Sequence, residues 1–116
     1  MYTRRAVFHF KADSSAEFTR ILRDNVLPLL RSQEGCRHED LYVTPQFSEA
    51  VLNSYWDTEA RAEAYETGAY REGLQALAGV LDGAPRVESF NVSSATFRVL
   101  TAARRETYRA SRIGRG

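Results

Sequence analysis

Cysteine is nearly absent from this chain, and that scarcity is informative. Cys36 stands alone, so no internal disulfide can form and a cysteine-rich metal site is excluded. The lone thiol reads as a small hydrophobe at the start of a strand. Histidine is almost as rare: His9 and His38 have no helical His/Glu pairing around them, which argues against a dedicated metal site. No apolar run approaches the ~20 residues that a membrane-spanning helix requires. The apolar-leaning stretch after Arg4 and Arg5 is too short for a signal-peptide core. The expectation is a chain with no membrane segment, in the reduced cytoplasm.

A strong charge of either sign is also missing, the net being +1 over 116 residues, but the balance hides two regions. Residues 1–97 carry 10 basic and 14 acidic side chains, whereas residues 98–116 carry six arginines against Glu106. The reading is a single domain over 1–97 and an arginine-rich C-terminal extension over 98–116, solvated or folded onto the acidic body of a partner subunit. Tyr108 is the single aromatic residue from Thr107 to Gly116, and the body is acidic, so no extended basic face is evident and nucleic acid is not the expected partner.

What is present is hydrophobic periodicity. Residues 5–11 read as a strand, with His9 between Phe8 and Phe10. Ser14 followed by Glu17 has the pattern of a capping box, ahead of a helical stripe through Phe18, Ile21, Leu22, Val26, Leu29 and Leu30. Pro28 falls inside that stripe, and its missing N–H predicts a bend near Asp24 to Pro28. A second strand runs from Cys36 to Thr44 and is stopped by Pro45. It forms a hairpin with a third strand, residues 51–56, that ends at Trp56. Asp57 and Thr58 can cap the helix that follows, Gly68 breaks that helix, and the stripe resumes through Tyr70, Leu74, Leu77, Ala78 and Leu81. Residues 86–92 supply a fourth strand, with room to continue to Phe97.

Strand, helix, strand, strand, helix, strand is the order of an α+β, ferredoxin-like split βαβ unit: a four-stranded antiparallel sheet with its helices on one face. The other face is left uncovered, and a second copy of the chain is the simplest cover. A homodimer is therefore expected.

The run LPLLRSQEGC, then LYV, the strand ending in Trp56-Asp57-Thr58, the helix AEAYETGAYREGLQALAGVLDGAP and the closing RVESFNV together resemble the antibiotic biosynthesis monooxygenase domain family. The resemblance spans Val7 to Val92. It implies a dimeric α+β barrel in which two sheets close face to face. It also implies one of several activities, among them cofactor-independent oxygenation of aromatic polyketides and haem degradation. The haem-degrading branch has an asparagine in the first strand, and a tryptophan and a histidine ten residues apart on the second helix. These would fall here near Phe8 or His9, at Tyr65 and at Gln75. None matches, and Gln75 offers no imidazole to iron, so no haem and no other cofactor is expected. The polyketide-oxygenase branch uses asparagine, tryptophan and arginine. Asn53 and Trp56 resemble the first two, although alternation puts them on opposite faces of their strand.

On this reading His9 is the candidate base and Asn53 the candidate oxyanion donor, while Trp56, Tyr65 and Tyr70 form the wall that binds a small apolar or aromatic molecule. Ordinary packing accounts for the same residues if the protein is instead a non-catalytic dimeric binding or accessory module. No motif in the sequence specifies a reaction.

Overall fold

A computed structural model describes residues 1–91. The extension 98–116 and any continuation of the last strand to Phe97 lie outside the described residues. Four strands, β1 (Tyr2–His9), β2 (Cys36–Thr44), β3 (Glu49–Trp56) and β4 (Arg86–Asn91), form one antiparallel sheet in the order β2-β3-β1-β4. This is the strand order of the ferredoxin-like fold. Strand β1 is central and pairs with β3 from Tyr2↔Trp56 to His9↔Glu49, and with β4 from Tyr2↔Asn91 to Val7↔Arg86.

The first strand begins at Tyr2, earlier than the apolar pattern predicts. Tyr2, Arg4, Ala6 and Phe8 alternate onto the helix-covered face, so the pairing continues through two arginines that carry no hydrophobic signal. The third strand likewise starts at Glu49, after a 3-10 turn at Pro45–Phe47 that closes through a left-handed Ser48.

The first helical arm consists of α1 (Ser15–Ile21), a π-helical turn (Leu22–Val26) and α2 (Leu27–Arg31). The π turn is the expected bend. Pro28 has no N–H to donate, and the backbone widens just before it so that the Leu27 N–H reaches back to the Leu22 carbonyl, five residues away. The extra residue rotates the stripe, so that Val26, Leu27 and Leu30 are buried while Leu29 is not. Ser14 sits at the N-cap, but its side chain makes no capping bond; the Phe18 N–H bonds to the Ser14 carbonyl instead.

The second arm is α3 (Glu59–Thr67) and α4 (Ala69–Leu77), broken at Gly68 as the sequence predicts. Helix α4 ends at Leu77, short of the stripe's reach to Leu81. The chain is drawn off into a bridge between Leu81 and Phe10, reinforced by Lys11 N–H to Val80 O and Asp82 N–H to His9 O, both 2.8 Å. At the core, Phe18 packs on Phe10 and Phe8 with ring centroids 4.7 and 5.9 Å apart, surrounded by Leu22, Leu30 and Leu77. Among the described residues no helix is long and apolar enough to cross a membrane.

Candidate functional site

Trp56, the last residue of β3, fixes the position of everything around it. Its alternation with Ala50, Leu52 and Ser54 turns it under the helices, where it is fully buried. Its indole Nε1 donates to Ser54 Oγ at 2.9 Å, and Ser54 Oγ is 3.5 Å from the Arg4 carbonyl across the β1–β3 ladder. A buried indole N–H needs such an acceptor.

Beyond Trp56 the chain turns through Asp57, and Thr58 Oγ1 accepts the Arg61 N–H at 3.2 Å, starting α3. Helix α3 is otherwise polar and buries only Ala62 and Tyr65, one turn apart on the side that meets Trp56. The Trp56 and Tyr65 rings lie 5.3 Å apart. The break at Gly68 then lets Tyr70, in the first turn of α4, face the same space, with its ring 5.8 Å from that of Tyr65. The three aromatic residues expected to share a wall do share one.

Their common neighbour is Arg4, which the sequence reading overlooked. Its side chain is only 2% exposed. The guanidinium lies over the face of Tyr70, with Cζ 3.8 Å from the ring centroid, and is 5.2 Å from the centroid of Tyr65. Among the described residues Glu66 Oε1 is its anionic neighbour, 4.0 Å from Nη2 and too far for a hydrogen bond, on a side chain that is 47% exposed. Arg4 Nε and Nη2 are buried and have no hydrogen-bond partner among the described residues. Buried donors are nearly always satisfied, so two orphans on one guanidinium are exceptional. The phenols do not balance the charge. Burial pushes Tyr65 up to about 12 against the opposing pull of Arg4, and burial raises Tyr70 in the same way. Both therefore stay neutral near pH 7.

His9 and Asn53 lie elsewhere. Both belong to the sheet face away from the helices, and the registers Arg5↔Asn53 and His9↔Glu49 hold them four residues, or roughly 13 Å, apart along the strands. Asn53 is buried mid-sheet between Arg5 and Asp40. The half-exposed His9 meets Glu49 Oε2 at 3.2 Å. The same face carries a polar network in which His38 stacks on Tyr55 and approaches Asp40 Oδ1 at 2.9 Å, while the Tyr55 hydroxyl donates to Asp40 Oδ2 at 2.8 Å. The structure thus joins Trp56, Tyr65 and Tyr70, and separates them from His9 and Asn53 by the thickness of the sheet.

Arg4 and Ser54 are the members of the site missing from the sequence reading. The available signal was period two: Arg4 shares its parity with Ala6 and Phe8, and Ser54 with Leu52 and Trp56. Gln75, where a haem-degrading relative would place its histidine, is exposed on α4. A separate groove of about 470 Å³ runs over Asn25, Pro28, Leu29, Ser32, Glu72 and Gly73 on the outside of the helices. It contains no cation and no aromatic ring, and it does not reach the aromatic box.

The sequence profile of the antibiotic biosynthesis monooxygenase family matches residues 1–77, from β1 to the end of α4. A candidate antibiotic biosynthesis monooxygenase from Nitrosomonas europaea superposes with a TM-score of 0.66 at 20% identity, over 78% of this chain and 97% of its own. A protein of unknown function from the same organism gives 0.70 at 20% identity, over 80% and 89%. A candidate antibiotic biosynthesis monooxygenase from Deinococcus radiodurans gives 0.69 at 11% identity, over 81% and 94%. At these identities the structural likeness is one of fold. Among curated proteins no relative is found. The profile match covers well over half the sequence and takes in Arg4, Ser54, Trp56, Tyr65 and Tyr70, and the chain belongs to the antibiotic biosynthesis monooxygenase family.

Proposed function

We propose that the box formed by Arg4, Trp56, Tyr65 and Tyr70 is the substrate site of a small cofactor-independent monooxygenase, or a related enzyme, acting on an apolar aromatic molecule. The observation that carries this reading is the buried guanidinium framed by aromatic rings with two of its nitrogens unpartnered. An electron-rich aromatic substrate can reduce oxygen itself, so the protein need supply only a dry pocket, flat walls and a fixed positive charge. In the balanced reaction a ring CH₂ next to an ionised oxygen becomes C=O. One atom of O₂ enters the product, the other leaves as water, and all four electrons come from the substrate. His9 as base and Asn53 as oxyanion donor would require a second site on the opposite face, because neither reaches the box through the sheet.

Oxygen uptake tests the reading. Anaerobic mixing with enolisable phenols and quinols, followed by oxygen, should consume one O₂ per product formed, and Tyr70→Ala or Trp56→Ala should abolish it. An aromatic ligand held tightly with no oxygen consumed would make the protein a binding module instead.

The opposite sheet face is proposed to close against a second copy. Val7, Asn53 and Tyr55 lie at its centre, and Phe90 is exposed at its edge. Thr3, Val7, Asn53 and Tyr55 are already only 2–4% exposed within one chain, so a second copy would cover the partly exposed side chains around them, Val51 and Phe90 among these. Sedimentation equilibrium should give a particle of about 26 kDa, twice the 13.1 kDa chain, and deletion of residues 106–116 should leave a dimer of the shortened chain. A folded monomer at micromolar concentration would sink the paired-sheet arrangement.

A further inference from the structure

We infer that Arg4 is an internal receptor for a planar organic oxyanion, and that Glu66 is its built-in competitor. The inference deepens the reading of the aromatic box as a substrate site and rests on it.

The two orphaned atoms are not an arbitrary pair. Nε and Nη2 point their N–H bonds in parallel along one edge of the guanidinium, the edge that accepts both oxygens of a carboxylate or the two oxygens of an enolised diketone. The Cζ of the same group already lies over the Tyr70 ring, 3.8 Å from its centroid. The cation is therefore held against Tyr70 while Nε and Nη2 have no hydrogen-bond partner among the described residues. The neighbouring phenols are neutral at pH 7 and cannot serve as its counterion.

Glu66 marks the way in. Its carboxylate approaches Nη2 but stops at 4.0 Å, and with 47% of its side chain exposed it remains hydrated. An incoming anion that displaces it can bond to Nε and Nη2 together, while its aromatic body meets Tyr65, Tyr70 and Trp56. Inorganic anions would satisfy the edge but not the rings. Neutral aromatics would satisfy the rings but not the edge. The class selected is an apolar aromatic or polycyclic molecule ionised at a carboxylate, phenol or enol.

The test compares 2-naphthoate with its neutral isostere 2-naphthamide by titration calorimetry at pH 7. The wild type should bind the acid about tenfold or more tightly than the amide, the value of a charge-assisted pair. Arg4→Met should erase that preference. Arg4→Lys, which keeps the charge but loses the fork, should retain only a fraction of it. Glu66→Gln should tighten naphthoate binding several-fold and leave naphthamide unchanged. Equal affinity for acid and amide in the wild type, or a preference that persists in a folded Arg4→Met protein, overturns the receptor. An unchanged naphthoate affinity in Glu66→Gln overturns the competitor. If Arg4→Met does not fold, Arg4→Lys and Glu66→Gln decide by their opposite signs. The parent reading fails separately. Naphthoate selectivity without oxygen uptake on any enolisable substrate keeps the receptor and removes the oxygenase, whereas oxygen uptake indifferent to Arg4→Met does the reverse.

Discussion

Replacing Arg4 with methionine should make this protein more stable. The guanidinium is 2% exposed, with Nε and Nη2 lacking hydrogen-bond partners. Each orphaned donor costs about 1–3 kcal/mol in lost hydration. Against this, the contacts with Tyr70 at 3.8 Å and Tyr65 at 5.2 Å each return about 1–2 kcal/mol of cation–π attraction. Glu66 adds little, because it is 47% exposed and keeps its water when its partner is removed. Methionine preserves most of the side-chain volume and sets a thioether against the rings, without the desolvated charge. Buried charges replaced by apolar residues of similar volume are often neutral or stabilising. The expected gain is about 1–2 kcal/mol, an increase of roughly 4–8 °C in Tm for a chain of this size. Urea titration should show a higher midpoint with an unchanged slope. Arg4→Ala serves as the control, since it removes the same charge but leaves a cavity and should cost about 2–4 kcal/mol relative to Arg4→Met. A loss of more than about 1 kcal/mol in Arg4→Met would refute the reasoning, because it would mean that the ring contacts outweigh the orphaned donors and that Arg4 is a structural cation.

Two further predictions concern stability. The folded protein holds the Tyr65 proton up to about 12 while the unfolded chain releases it near 10, so Tyr65 makes stability full below pH 10 and lost as pH rises from there to about 12. The slope is about 1.4 kcal/mol per pH unit, and urea midpoints measured across that window should fall in the wild type and flatten in Tyr65→Phe. Gly35 has φ of +91°, and a Cβ there would come within 2.6 Å of Asp57 Oδ1 and 2.7 Å of Arg61 Cγ. Gly35→Ala should therefore cost about 1–3 kcal/mol, and an unchanged unfolding midpoint would show that this turn relaxes freely.

Much of this architecture was legible in the sequence, because its signals are local. Alternation in β3 and the helical stripes specified the order of elements, and Pro28 and Gly68 marked the two interrupted helices. The same alternation placed Asn53 and Trp56 on opposite faces, and the short turn through Asp57 and Thr58 kept Trp56 next to the helix that carries Tyr65. The reading failed where depth mattered. Alternation states which side chains share a face but not how deeply the face is covered, and Arg4 lies just ahead of the residues 5–11 that carry the apolar pattern. What buries it are Tyr65 and Tyr70, some sixty residues further along the chain, on helices whose docking over the central strand depends on the sheet order β2-β3-β1-β4. That order also carried His9 to a half-exposed strand end beside Glu49, far from the rings it was expected to serve. The elements and their faces are written locally, since they depend on neighbours two to four residues away. Which charge loses its water is set by the packed fold, since desolvation depends on residues brought in from far along the chain.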